Sequence, residues 1–139
     1  MKYNINLPDN HIRGLSSSLM VVEKSLSEMQ DLFLKQNDAC CYEVVKDVNN
    51  DVIEKNISVI LEAKTLICEL ASKYGTSREE QSLQRIIDAK RAKIWEILTD
   101  SLSRKIKGYG TFPKKYADEY DSDIGKLIEI TNKINYSSF

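Results

Sequence analysis

The widest apolar face in the sequence lies in residues 52–74, VIEKNISVILEAKTLICELASKY. At about 100° per residue, the apolar side chains of this stretch cover more than half of a helix circumference. They are Val52, Ile53, Ile57, Val59, Ile60, Leu61, Ala63, Ile67, Cys68, Leu70, Ala71 and Tyr74. A surface helix buries a stripe of somewhat over 100° against one layer, so this wider arc needs partners on at least two sides. The pattern predicts a central helix that packs on other helices or on a second copy.

Lys64 interrupts this apolar arc, and two interpretations of it remain open. In the first, the stem of Lys64 lies along the apolar surface while its ammonium reaches water. In the second, the amine is buried and paired with a carboxylate, which costs desolvation and fixes the register of the helices.

A different hydrophobic pattern, with steps of three and four residues, runs through a first helix predicted over about 10–36. Such a heptad seam favours shallow, left-handed packing against a neighbouring helix. Packing within the chain and contact between two copies both remain open for this seam. The candidate self-association residues are Leu15, Leu19, Val22, Leu26, Met29 and Phe33.

The second predicted helix covers about 39–74, with Asp38 as its expected N-cap and Gly75 directly after its end. Its first part is ambiguous, because the β-branched Val44, Val45 and Val48 also fit a short strand. Residues 39–51 therefore stay open between helix and strand.

Two further helices complete the predicted fold. Ser77 and Glu80 match the capping box that starts a helix, which we place at about 78–107, and a last helix is expected at about 121–135. The sequence thus predicts an all-α fold: an antiparallel helical bundle of three long helices plus a shorter C-terminal fourth helix, in a single domain over 1–139. In the alternative arrangement, a stack of three helices completes its core only on dimerisation.

Composition supports a helical globular protein. The 139 residues are 42% hydrophobic and 29% charged, and five Gly and two Pro provide little turn chemistry for a many-stranded sheet. No run of about 20 apolar residues suggests a membrane span, and MKYNINLPDN lacks the apolar core of a secretion signal. Three cysteines, of which Cys40 and Cys41 are adjacent, favour reduced thiols. We therefore expect a cytoplasmic protein without membrane contact.

Motifs that carry chemistry are missing from the sequence. His11 is the single histidine, so neither the paired Glu-x-x-His motifs of a di-iron bundle nor an HExxH zinc motif is present. There is no Cys-x-x-Cys pair and no phosphate-binding P-loop. The sequence predicts no catalytic residue, no metal ligand and no cofactor, and hence a protein that is not an enzyme.

Charge is unevenly distributed along the chain. Residues 1–76 carry eight Lys and Arg against eleven Asp and Glu, residues 77–117 carry ten against five, and residues 118–139 carry two against five. Basic and aromatic residues alternate in 104–116, RKIKGYGTFPKKY. The candidate ligand or partner contacts there are Arg104, Lys105, Lys107, Tyr109, Phe112, Lys114 and Lys115. In the alternative interpretation, the aromatic residues fold back to close the end of the bundle and the lysines are simply solvated.

These patterns favour a non-catalytic helical interaction module, an adaptor or small subunit of a larger assembly. Its expected partners are another protein and a second copy of itself, in a homodimer held by apolar helix faces. The alternative function is binding of single-stranded nucleic acid or a phosphoanion through the basic third helix and the 104–116 loop.

Overall fold

A computed structural model describes residues 5–35 and 39–134, and of Lys107 only the backbone. Four α-helices follow one another along the chain: α1 (Asp9–Leu34), α2 (Asn50–Tyr74), α3 (Leu83–Thr99) and α4 (Lys114–Thr131). A 3₁₀ turn, Lys107–Tyr109, lies between the last two. The described ranges contain no strand, which confirms the all-α fold class. None of the helices in these ranges combines the length and the apolar character that crossing a bilayer requires.

The chain forms two compact units, Met1–Glu79 and Glu80–Phe139. The first contains α1 packed on α2, and the second contains α3 packed on α4. We call these the first pair and the second pair. A single domain over 1–139 and a four-helix antiparallel bundle remain predictions.

In the first pair, the segment before α2 bonds to the end of α1, and the segment before α1 bonds to the end of α2. Near one end, Lys46 Nζ donates to the carbonyl of Phe33 at 3.1 Å. At the other end, the amide of Ile5 donates to the carbonyl of Lys73 at 3.1 Å. The two helices therefore run in opposite directions.

The start of α2 corrects the predicted helix over 39–74. The side chain of Asn49 accepts a hydrogen bond from the amide of Val52 at 2.9 Å and caps a helix that begins at Asn50. Residues 39–49 form neither helix nor strand. The valines of this stretch lose rotamer freedom in a helix. Asp38, the expected cap, lies outside the described residues.

The end of α2 agrees with the sequence. Gly75 adopts a left-handed conformation with φ 69°, and the amides of Gly75 and Thr76 both donate to the carbonyl of Ala71. This closing turn is the one that glycine favours after a helix. α1 also lies close to its prediction, at 9–34 instead of 10–36.

The third helix is shorter than the predicted 78–107 at both ends. Its cap is Ser82, whose Oγ accepts from the amide of Arg85 at 3.3 Å, and Ser77 with its capping-box pattern lies in the preceding connection. After Thr99 the chain continues in short turns with hydrogen bonds between residues three apart. The amide of Ser103 donates to the Asp121 carboxylate of α4 at 2.8 Å.

The fourth helix begins seven residues before the predicted 121–135 and ends at Thr131. Pro113 precedes its first residue with φ −59°, an angle that suits the entry into a helix. At 18 residues, α4 is not shorter than α3, which has 17.

Candidate interaction site

An apolar groove runs along the first pair, between the second half of α1, the first half of α2 and the connecting residues 44–48. Its volume is about 460 Å³. Among its lining side chains are Leu26, Met29, Phe33, Ile53, Val59 and Ile60. Lys46, Asp47 and Asn56 are its polar members. A groove that is apolar on three sides has the chemistry that accepts a helix or another apolar segment.

Exposed apolar residues lie on one side of each helix, most of them at seven-residue intervals, and three of the six line the groove. On α2 they are Val52, Val59 and Leu66, of which the last two are each 52% exposed. On α1, Val22 and Met29 are about half exposed, and Leu32 follows on the same side. We call these six residues the open face.

The predicted seam of α1 divides between two environments. Leu15, Leu19, Leu26 and Phe33 are partly buried, whereas Val22 and Met29 are exposed and belong to the open face. Two seam positions thus remain available to a partner. The seam as a self-association site stays a prediction.

Lys64 follows neither of the two interpretations in full. It is partly buried, and its Nζ donates to Oε1 of Gln30 on α1 at 2.8 Å. The partner is a neutral amide and not a carboxylate. The hydrogen bond joins the two helices and supports their register without requiring a buried ion pair.

The candidate residues of the 104–116 segment occupy different surroundings. Arg104 and Lys105 are exposed after α3, and Lys114 and Lys115 are exposed as the first two residues of α4. Tyr109 is 95% exposed. The side chain of Lys107 lies outside the described part of the structure.

Phe112 behaves as a packing residue. Its ring lies 4.6 Å from that of Tyr120 between centroids, at an interplanar angle of 38°. This tilted contact fixes the segment to α4 and is typical of aromatic pairs in protein interiors. Phe112 thus packs on α4, whereas Tyr109 is exposed.

A polar anchor that the sequence did not reveal holds the turn after α3. Asp121 accepts hydrogen bonds from Ser103, at 2.8 Å from the amide and 2.6 Å from Oγ. These two bonds, with a smaller contribution from the charge of Arg104, lower the pKa of the Asp121 carboxyl. Tyr120 donates its hydroxyl to the carbonyl of Ser101 at 2.6 Å. The partners are 18 or 19 residues apart, and no local pattern in the sequence indicates such a contact.

In the ranges 5–35 and 39–134, no three side chains of His, Cys, Asp or Glu are grouped so that they could hold a metal ion. Comparisons with protein-family models, with curated proteins and with solved structures find no match for this chain.

Proposed function

We propose that this protein is a non-catalytic helical interaction module, an adaptor or small subunit of a larger assembly, that self-associates through the open face of its first pair. The observation that carries the proposal is the open face itself, which borders an apolar groove. Among the described residues only Ile60 and Ile67 are buried, while apolar side chains along both helices meet water.

The extent of the apolar surface suits a second copy as the partner. The open face and the neighbouring Val44, Val45 and Val48 comprise nine exposed apolar side chains. At roughly 80 Å² each, they offer about 700 Å² per copy, close to the ~800 Å² per partner of a standard interface. Monomeric proteins ordinarily expose smaller apolar patches than this total.

Charge does not oppose this association. The open face contains no charged residue, and the net charge of the chain is −1. Two copies therefore bring little electrostatic repulsion to the contact.

The antiparallel bundle predicted from the sequence is part of the proposal. In the proposed bundle, α1 lies on one side of the wide apolar arc of α2 and a helix of a second copy lies on the other. We place the protein in the cytoplasm, where the free and exposed thiols of Cys40, Cys41 and Cys68 stay reduced.

Sedimentation velocity tests self-association. At micromolar concentration we expect the mass of a dimer that dissociates on dilution, and we expect the double variant Val59→Glu, Leu66→Glu to be monomeric. Two carboxylates would have to be desolvated in the contact. Both side chains are exposed, so the helical circular-dichroism signal should remain.

Leu61→Glu is the matched control. Leu61 is 50% exposed on the same helix, but it lies about 200° around the axis from Val59. This variant should sediment as the wild type does. A wild-type protein that stays monomeric over a hundredfold concentration range would refute the proposal, and equal dissociation of the control would show that the open face is not the contact.

A further inference from the structure

Among the described aromatic residues of the second pair, Tyr109 is the most exposed, at 95%. Glycines lie on both sides of it, and Gly110 has φ 107°, a conformation that other residues rarely adopt. A Cβ atom added at Gly108 or Gly110 would meet nothing within 4 Å, so the backbone beside the ring is also accessible. The turn presents one aromatic ring whose faces are free.

Cations surround this turn along the chain. Residues 101–117 contain five Lys and Arg and no Asp or Glu. Arg104 and Lys105 precede the turn, Lys114 and Lys115 follow it, and all four are exposed. Nζ of Lys115 lies 5.4 Å from the ring centroid of Tyr116, which is itself exposed.

The turn is also anchored to the rest of the second pair. The contact of Phe112 with Tyr120 and the two hydrogen bonds from Ser103 to Asp121 hold its two ends on α4. A free ring on an anchored turn loses little conformational entropy when a ligand stacks on it.

From these observations we propose that the turn around Tyr109 is a binding site for single-stranded nucleic acid, in which a base stacks on Tyr109 and the flanking cations contact phosphates. This function is separate from self-association through the first pair. A free aromatic face beside cations accepts any unpaired base, with affinity that varies little with sequence. A duplex does not fit as well, because its bases are stacked on each other and closed to a single protruding ring.

The first test measures fluorescence anisotropy of a labelled oligothymidylate of about 20 nucleotides in roughly 50 mM salt, where phosphate contacts contribute most. We expect micromolar binding by the wild type and a loss of about tenfold in Tyr109→Ala, within the range found for stacked aromatics. Tyr42→Ala is the control, because Tyr42 is 67% exposed but belongs to the first pair. Absence of wild-type binding, or equal affinity of the two variants, would overturn the proposal.

The second test distinguishes phosphate contacts made at the turn from a general effect of the protein's net charge. The triple variant Lys105→Gln, Lys114→Gln, Lys115→Gln should bind more weakly and should reduce the slope of log K against log salt by about 2. A variant with the same charge change at exposed sites elsewhere, Lys24→Gln, Lys55→Gln, Lys126→Gln, should retain the wild-type slope. Identical slopes for both variants would count against the site.

An abasic oligomer of the same length tests stacking directly. It keeps the phosphates and lacks the bases, so we expect it to bind about as weakly to the wild type as oligothymidylate binds to Tyr109→Ala. Equal wild-type affinity for the abasic oligomer and oligothymidylate would show that only phosphates are bound and would remove Tyr109 from the site.

Discussion

At the scale of single residues, Ile60 and Ile67 carry the packing of the first pair. They lie seven residues apart on α2 and are 5% and 9% exposed. Ile60 also lines the groove, so its side chain belongs both to the helix contact and to the surface offered to a partner. Loss of one side chain therefore affects a large share of a small core.

We expect Ile60→Ala to lower the free energy of unfolding by roughly 2 kcal/mol, the low end of the range for such truncations, because the adjoining groove lets the site relax. Leu61→Ala, at an exposed neighbouring position, should change it by no more than about 0.5 kcal/mol. Urea denaturation at one fixed protein concentration measures both, since association would otherwise alter the comparison. A smaller loss for Ile60→Ala than for Leu61→Ala would contradict the assignment of Ile60 to the core.

Asp121 makes stability depend on acid pH. Its pKa is lowered from the ordinary value of 3.8 in the folded protein, so the stability that its carboxylate contributes is complete above pH 3.8 and is lost as pH falls through the lower folded pKa. We expect Asp121→Ala to melt at a lower temperature than the wild type at neutral pH. The difference should narrow below pH 3.8 in thermal melts followed by circular dichroism. If the difference in melting temperature instead widens as pH falls, the stabilising role assigned to the Asp121 carboxylate is wrong.

At the scale of helices, two glycines should respond in opposite ways to the same substitution. Gly75 closes α2 at φ 69°, where Ala is strained, so Gly75→Ala should destabilise the protein by about 1 kcal/mol. Gly14 lies inside α1 with open space around it, so Gly14→Ala should stabilise by roughly 0.5–1 kcal/mol. Thermal melts of both variants measure the effect, and a shift of the same sign in both would contradict it.

Hydrophobic periodicity predicted the helices better than it predicted their ends. The seam of α1 and the arc of α2 are long, so each places a helix reliably, and Gly75 marks an end because its backbone conformation is specific. The predicted beginning of α2 was wrong because the β-branched Val44, Val45 and Val48 are compatible with a helix, a strand and an irregular segment. Asn49 and Asp38 are both capable N-caps, and the structure uses Asn49.

Competition between equivalent caps also explains why the start of α3 in the second pair was predicted wrongly. Ser77 and Ser82 both precede residues that favour helix, and in the structure Ser82 is the cap. Asp121 lies at the predicted start of the last helix, but in the structure it lies inside α4 and accepts hydrogen bonds from Ser103. A hydrogen bond between residues 18 positions apart produces no periodic pattern in the sequence.

At the scale of the whole molecule, the sequence predicted which helix faces are apolar but not the shape of the groove between them. The helical sides of the groove follow from the seam of α1 and the arc of α2. Its third wall, residues 44–48, comes from an irregular connection that no pattern specifies. For the 104–116 segment, composition could not distinguish Phe112, which packs on Tyr120, from Tyr109, which stays exposed.

The pairing of each helix with its neighbour in sequence has a kinetic consequence. Only residues 35–49 separate α1 from α2, and only residues 100–113 separate α3 from α4. Closing loops of about this length takes on the order of 0.1 μs, and proteins with such local contacts fold in microseconds to milliseconds. Ribosomes add about 5–20 residues per second, so α1 and α2 have time to pair before α4 is synthesised. The open face would then be presented while the chain is still nascent, and neighbouring ribosomes on one messenger RNA would bring two such faces together.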